Sequence, residues 1–443
     1  MNRARASTAG ATRPSALFRL RLWLSTALWA PVLAANLLAI ALAIVLPLVD
    51  ERLTRNHLPV ALSSAQQLFG ALAAGMITFT GITFSAVFVA AQIQTSSYSP
   101  RLAARLRREP AVGISLALST ATASYALFAL ASLGRRDLSR GGRDFVPEIT
   151  VLVGLVLAAV TLGAFVLLVQ RMFLMIQIGG ILRDLMRRAH AVIDDVHPLR
   201  AGADTTVERP HGAHEIVREL RHEGAPGVVA AVDRAALLRL AAESGGFVGV
   251  VPSVGQFVAP GDAVLRLTGD AAHRPGFPPH DASAVLVLAR QRTIDQDPAF
   301  AFRMLVDIAI RALSPAVNDP TTAVQVLDRL ELLLVDLLHR QTGPGYVVDG
   351  DGVPRGLVPA PGWLDYYELA VSEIRRYGAG SLQVARRLRA LHEHLLALAE
   401  PGDRARVALE LRLLDADVAA AFPDAEERAL ALRADRLGLG GPS

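Results

Sequence analysis

The densest set of chemically capable residues lies between Arg290 and Arg340, in RQRTIDQDPAFAFRMLVDIAIRALSPAVNDPTTAVQVLDRLELLLVDLLHR. Two Asp-Pro pairs, Asp297-Pro298 and Asp319-Pro320, each predict a helix start. The carboxylate caps free N–H groups, and proline stands where its missing N–H costs nothing. On the first helix Arg303, Asp307 and Arg311 recur every four residues, a charge ladder in an otherwise apolar segment. If buried, such pairs must satisfy one another and fix a packing partner more than they add stability. Should the two helix starts converge, Arg292, Asp295, Asp297, Asn318 and Asp319 would form a polar cluster. The N–H groups at 320–322, with the hydroxyls of Thr321 and Thr322, could hold an anionic small molecule. The competing reading is helix caps plus an internal ion-pair network. No nucleophile, base and orienting group stand at a defensible spacing, so no catalytic residue is assigned.

Other chemistry is excluded by what is missing. All 45 Lys+Arg residues are arginine, and there is no cysteine. Disulfides, thiolate nucleophiles, Cys-ligated metals, P-loop and kinase lysines, Schiff bases and lysine-linked carriers all fall away. The His211, His214, Glu215 group has the wrong order for a zinc helix, and His392-Glu393-His394 points its imidazoles to different sides. Both read as solvated histidines. Asp349 and Asp351 fall short of a calcium loop. Neither a metal nor a cofactor is expected. The net charge is +4 and the pI near 9.9 follows from arginine's high pKa, so no nucleic-acid partner is implied. The balance is against an enzyme.

The elements that position these residues begin with four apolar runs in the first 182 residues. Hydrophobic residues reach 52% of the chain and charged ones only 19%. Spans are expected at about 24–49, 68–93, 111–134 and 149–170, each long enough for a hydrocarbon core of about 30 Å. The first run far exceeds a signal-peptide core and reads as an uncleaved anchor. Thirteen arginines flank one side, including Arg19, Arg21, Arg101, Arg105 and Arg183, against six on the other. Both termini are therefore expected in the cytoplasm.

No span has an ionisable residue near its centre, which counts against proton-coupled transport. On the second span Thr78, Ser85 and Gln92 recur every seven residues with Gly81 on the same side; Ser115, Ser119 and Thr122 do likewise on the third. Close helix packing explains such faces, and so does a pore lined by hydroxyl and amide groups. Asn36 and Pro47 read as packing or bending features. After the fourth span, Leu182, Leu185, Ala189 and Val192 continue at spacings of three and four, predicting a helix that runs on into the cytoplasm with one apolar stripe.

Residues 183–226 read as this extension and a linker. The segment 227–289 reads as a small α/β barrel-like unit: a strand at 228–232, a helix capped by Asp233 and closed by Gly245-Gly246, then short strands at 247–251, 256–259 and 263–267. Within it, VGQFVAPGDAVLRL is similar to half of a biotinyl or lipoyl barrel motif, here a scaffold because the carrier lysine is missing. The signature helices occupy 290–342. In 343–443, YVVDGDGVPRGLV predicts a hairpin, and helices are expected at 363–377, 381–400, 403–422 and 423–437.

The long motif RTIDQDPAFAFRMLVDIAIRALSPAVNDPTTAVQVLDRL, with SSYSPRL after the second span, resembles the bacterial family of predicted membrane proteins called domain of unknown function 2254. The resemblance covers nearly the whole chain and implies a bacterial integral membrane protein with no established activity. The resulting expectation is an α-helical membrane protein with four transmembrane helices, a cytoplasmic α+β region and a C-terminal helical bundle. Its partners would be the lipid bilayer and further copies of itself. Two functional readings stand: an oligomeric channel-like or scaffold protein of the inner membrane, or a membrane-anchored cytoplasmic ligand-binding or signalling module.

Overall fold

A computed structural model describes residues 29–53, 61–97, 110–139, 147–200, 218–269, 282–436 and 438. It divides at Gln177 into two compact units.

Among the described residues of the first unit, four helices are long and apolar enough to cross a membrane: α1 (Trp29–Leu53), α2 (Leu62–Ser97), α3 (Pro110–Ser139) and α4 (Glu148–Ile176). Helix α3 is the hub, packed on α1, α2 and α4, and its buried alanines let neighbours approach closely. Phe69 and Tyr125 meet edge to face at 6.2 Å, and the Tyr125 hydroxyl donates to Thr150 O. Polar residues in this bundle mostly serve each other. Asn36 donates to Thr120 Oγ1 at 2.8 Å and accepts from Ser124 Oγ at 2.7 Å, a packing feature as its sequence position implied. Thr122 and Thr161 share a buried hydrogen bond. Asp50, near the end of α1, accepts the N–H groups of Ile149 and Thr150 and so caps α4 from another helix.

The expected continuous extension of the fourth span is broken at one residue. Gln177 is extended (φ −69°, ψ 124°), and α5 (Ile178–Val196) starts afresh. The break marks a change of partner: α4 is apolar on all sides, whereas α5 buries only Ile181, Leu182, Leu185, Met186, Ala189, Val192 and Ile193.

The second unit combines two sheets with a helical layer. Strands β1 (Arg218–Arg221), β2 (Gly227–Val232), β3 (Val248–Val250), β4 (Phe257–Val258), β5 (Ala263–Leu267), β6 (Leu286–Ala289), β7 (Gly345–Val348) and β8 (Pro354–Val358) form sheets of order β1-β5-β3-β8-β7 and β4-β2-β6. Helix α6 (Arg234–Ser244) is capped by Asp233, whose carboxylate takes the N–H groups of Ala235 and Ala236, and Gly245 closes it at φ 65°. The core between them contains Val229, Leu237, Leu240, Val248, Leu265 and Leu267. The 227–289 segment is thus not self-contained. Strand β1 comes from the expected linker, and the predicted hairpin β7–β8 joins through a parallel β3–β8 pairing. A parallel partner so distant in sequence leaves no local pattern to read.

The helical layer comprises α7 (Pro298–Ala312), α8 (Pro320–Leu338), α9 (Trp363–Gly378), α10 (Leu382–Leu398), α11 (Pro401–Ala421) and α12 (Ala425–Ala431). Helix α7 packs on α8, α9 and α5, while α8 also meets α10. The last helix ends six residues short of the expected 437.

Candidate functional site

Each signature aspartate caps its helix. Asp297, 3% exposed, accepts the N–H of Phe300 at 3.0 Å and pairs with Arg292, whose Nη2 lies 3.0 Å from Oδ1. Arg292 also stands 5.4 Å over the Phe300 ring. Gly255 (φ +88°) seals this pair from above, where a Cβ would collide with both Arg292 and Asp297. Asp295 is exposed and outside the arrangement. Asp319 accepts the N–H of Thr322 at 3.0 Å and its hydroxyl at 2.6 Å. Asn318 before it adopts φ 47°, the left-handed region.

The two helix starts do not converge. Asp319 N–H donates to Ala312 O, the last residue of α7. With 15 residues, α7 is about 22 Å long, so Asp297 and Asp319 stand at its opposite ends. Arg292 and Asp297 therefore pair at one end of α7, with Asp295 exposed nearby in sequence, and Asn318 and Asp319 stand at the other end. The anion cradle at 320–322 is also corrected: Pro320 has no N–H, and Thr322 already gives its N–H and hydroxyl to Asp319. Thr321 is exposed. Of the ladder, Arg303 pairs with Asp307 at 2.6 Å and reaches across to Glu373 on α9, while Arg311 lies in the last turn of α7. The Arg303 hydrogen bond holds the Glu373 carboxyl below the usual range.

Two buried histidines escaped the sequence reading. His392 is 0% exposed, with Nδ1 2.8 Å from the Tyr367 hydroxyl. Burial, then the charges of Arg375 and Arg389, push its pKa to about 3. Its spacing from Leu388 and Leu395, four and three residues, places it on the apolar stripe of α10, a signal the His-Glu-His string obscured. His394 does face the other way, onto Glu331, which Arg387 also engages. His197, expected in a linker, is 1% exposed and bonded to Gln341 O and Tyr366 Oη. His211, His214 and Glu215 lie outside the described residues.

The two polar membrane faces part company. Ser115, Ser119 and Thr122 are buried inside the bundle. Thr78, Gly81, Ser85 and Gln92 are exposed on α2 among the described residues, directed away from α1, α3 and α4. Thr78 satisfies its hydroxyl on Ala74 O at 3.0 Å. Ser85 and Gln92 have no hydrogen-bonding partner among the described residues. In the second unit a surface cavity of about 440 Å³ lies among Asp195, Val232, Asp233, Arg234, Val287 and Gln296.

Among the described residues, four helices long and apolar enough to cross a membrane precede a second unit of mixed sheet and helix. Residues 25–394 match the family model described as predicted membrane protein, domain of unknown function 2254, and the chain belongs to that family. Uncharacterized proteins of Mycobacterium bovis and of Mycobacterium tuberculosis are each 31% identical over 373 residues, covering 82% of this chain and 70% of theirs. No solved structure matches.

Proposed function

We propose that the chain is a homo-oligomeric, channel-like protein of the bacterial inner membrane, with α2 turned toward other copies and the second unit regulating it from the cytoplasm. The outward face of α2 carries this reading. Ser64, Gln67, Thr78, Ser85 and Gln92, with Ala71, Ala74, Gly81 and Phe88 between them, follow alternating steps of three and four residues, and all are exposed. A 3.5-residue repeat is the period of a left-handed helix seam. Lipid tails offer hydroxyl and amide groups no partner, whereas a facing copy of α2 does. The hydroxyl and amide groups of this seam, set among small residues and Phe88, also offer hydrogen-bonding groups to a water-filled path. In this reading the chain is not an enzyme, since the polar atoms of its signature go largely into helix caps and ion pairs.

A cysteine-free chain makes the test direct. Ser85→Cys should cross-link copies of the protein in membranes, and Leu152→Cys, on the exposed face of α4, should not. Equal cross-linking at both would sink the assembly. Purified protein in liposomes should pass small solutes, and Ser85→Leu should reduce that flux several-fold. No flux under varied voltage and osmotic gradient would remove the channel while leaving the oligomer standing.

A further inference from the structure

Residues His197–Arg200 form a strap from the end of α5 across the turn 339–341 that follows α8. Gln341 N–H donates to Pro198 O at 2.9 Å, and Arg200 N–H to His339 O at 3.1 Å. Arg200 Nε donates to Arg340 O, and Arg340 Nη1 to His197 O, both at 3.0 Å. The pivot is the His197 imidazole, buried edge-on against the Tyr366 ring. Because Gln341 O can only accept, Nδ1 bears the imidazole proton. In the neutral ring Nε2 then accepts from the Tyr366 hydroxyl at 2.8 Å. The geometry thus fixes which tautomer the neutral imidazole adopts.

We propose that this strap is an acid-sensitive latch: protonation of His197 releases residues 197–200, and with them the end of α5, from the turn after α8. A second ring proton would sit on Nε2, facing the Tyr366 oxygen, and the hydroxyl would have to give up its donation in a buried site. The charged groups around the pivot come from every neighbouring element. Helix α5 brings His190 and Asp194, and α8 brings Asp336 and Arg340. Helix α9 brings Asp365, and the segment before α7 brings Arg292 and Asp297. Asp194 and Asp336 are both engaged by Arg340. Arg340 is the charge that bears on the imidazole itself, and like burial it opposes a cation there.

Burial first, and Arg340 with it, hold the His197 pKa below the ordinary value of 6.5. A released strap would let the imidazole titrate near 6.5. Between those two pKa values each unit of acidification favours the released form by up to about tenfold. The helix so freed at one end is the one that follows α4 past extended Gln177 and the Gly179-Gly180 pair. The latch stands on this geometry alone and does not require α2 to self-associate.

The test is a distance measurement on the full chain in lipid. Leu199 and Leu398 are exposed, and without native cysteines the pair Leu199→Cys and Leu398→Cys can be spin-labelled cleanly. One narrow distance is expected at pH 8, with a second, longer population growing toward pH 5 and a midpoint below 6.5. Tyr366→Phe should move that midpoint upward, because the neutral imidazole loses its donor. His197→Gln should abolish the pH dependence. An unchanged distance down to pH 5, or a transition that survives His197→Gln, would overturn the latch. If His197→Gln is already released at pH 8, the Tyr366→Phe midpoint decides, and an unmoved midpoint overturns it.

Discussion

A buried histidine turns packing into pH dependence, and His392 is the clearest instance. Its Nε2 finds no partner among the described residues, and its pKa is pushed to about 3. An unfolded chain binds a proton at this imidazole near 6.5, while the folded chain does not. Its contribution is therefore fully present above about 6.5 and is lost as pH falls toward 3, at up to roughly 1.4 kcal/mol per unit. Trp363, stacked on Tyr367 at 5.4 Å, reports on this neighbourhood once Trp23 and Trp29 are replaced by Phe. Denaturant unfolding of that protein at pH 7, 6 and 5 should show stability falling with acid. His392→Gln should flatten the fall, so that wild type and variant draw together as pH drops. Parallel slopes would show that the imidazole is not the group responsible.

Elements were legible wherever a local rule decides them. Asp233 with Gly245, Asp297 with Pro298 and Asp319 with Pro320 are caps whose chemistry lies within a few residues of the helix ends, and each stands where the spacing put it. The candidate cluster failed for the opposite reason. Whether two helix starts meet depends on the seven-residue turn between α7 and α8, and that turn sends them to opposite ends. Parallel pairing of β3 with β8, and Asp50 capping a helix about a hundred residues away, are likewise set by tertiary structure. The loop over Asp297 gives this a testable edge. Gly255 needs φ +88° and leaves no room for a Cβ, whereas Gly352 needs φ +80° with open space around it. Gly352→Ala should cost only the left-handed backbone penalty, about 1–2 kcal/mol. Gly255→Ala must also displace the Arg292–Asp297 pair, so its loss in Trp363-monitored unfolding should be clearly larger. Equal losses would mean that the loop moves aside without disturbing the ion pair.

At the scale of the whole molecule, the boundary at Gln177 separates two ways of burying apolar surface. Helices α1 to α4 leave large side chains such as Leu37, Phe84, Leu152 and Phe173 exposed around the unit, the surface a bilayer would cover. Helix α5 does the reverse. Its seven buried apolar residues pack on α7 and α8 within the second unit, and its outer face carries Arg187, 79% exposed, and Arg188, 57% exposed. Burying each large side chain of that stripe contributes roughly 1.5–3 kcal/mol. Summed over the stripe, this rivals the 5–15 kcal/mol that typically holds a domain together. The fragment Ile178–Ser443 should therefore be water-soluble and unfold cooperatively, with no detergent present. A fragment beginning at Pro198 lacks α5 and should expose the apolar faces of α7 and α8, bind a hydrophobic dye and aggregate. If the longer fragment needs detergent, α5 belongs with the membrane helices. If both fragments are equally stable, α5 is a passive connector, and its amphipathic stripe has little energetic weight in the second unit.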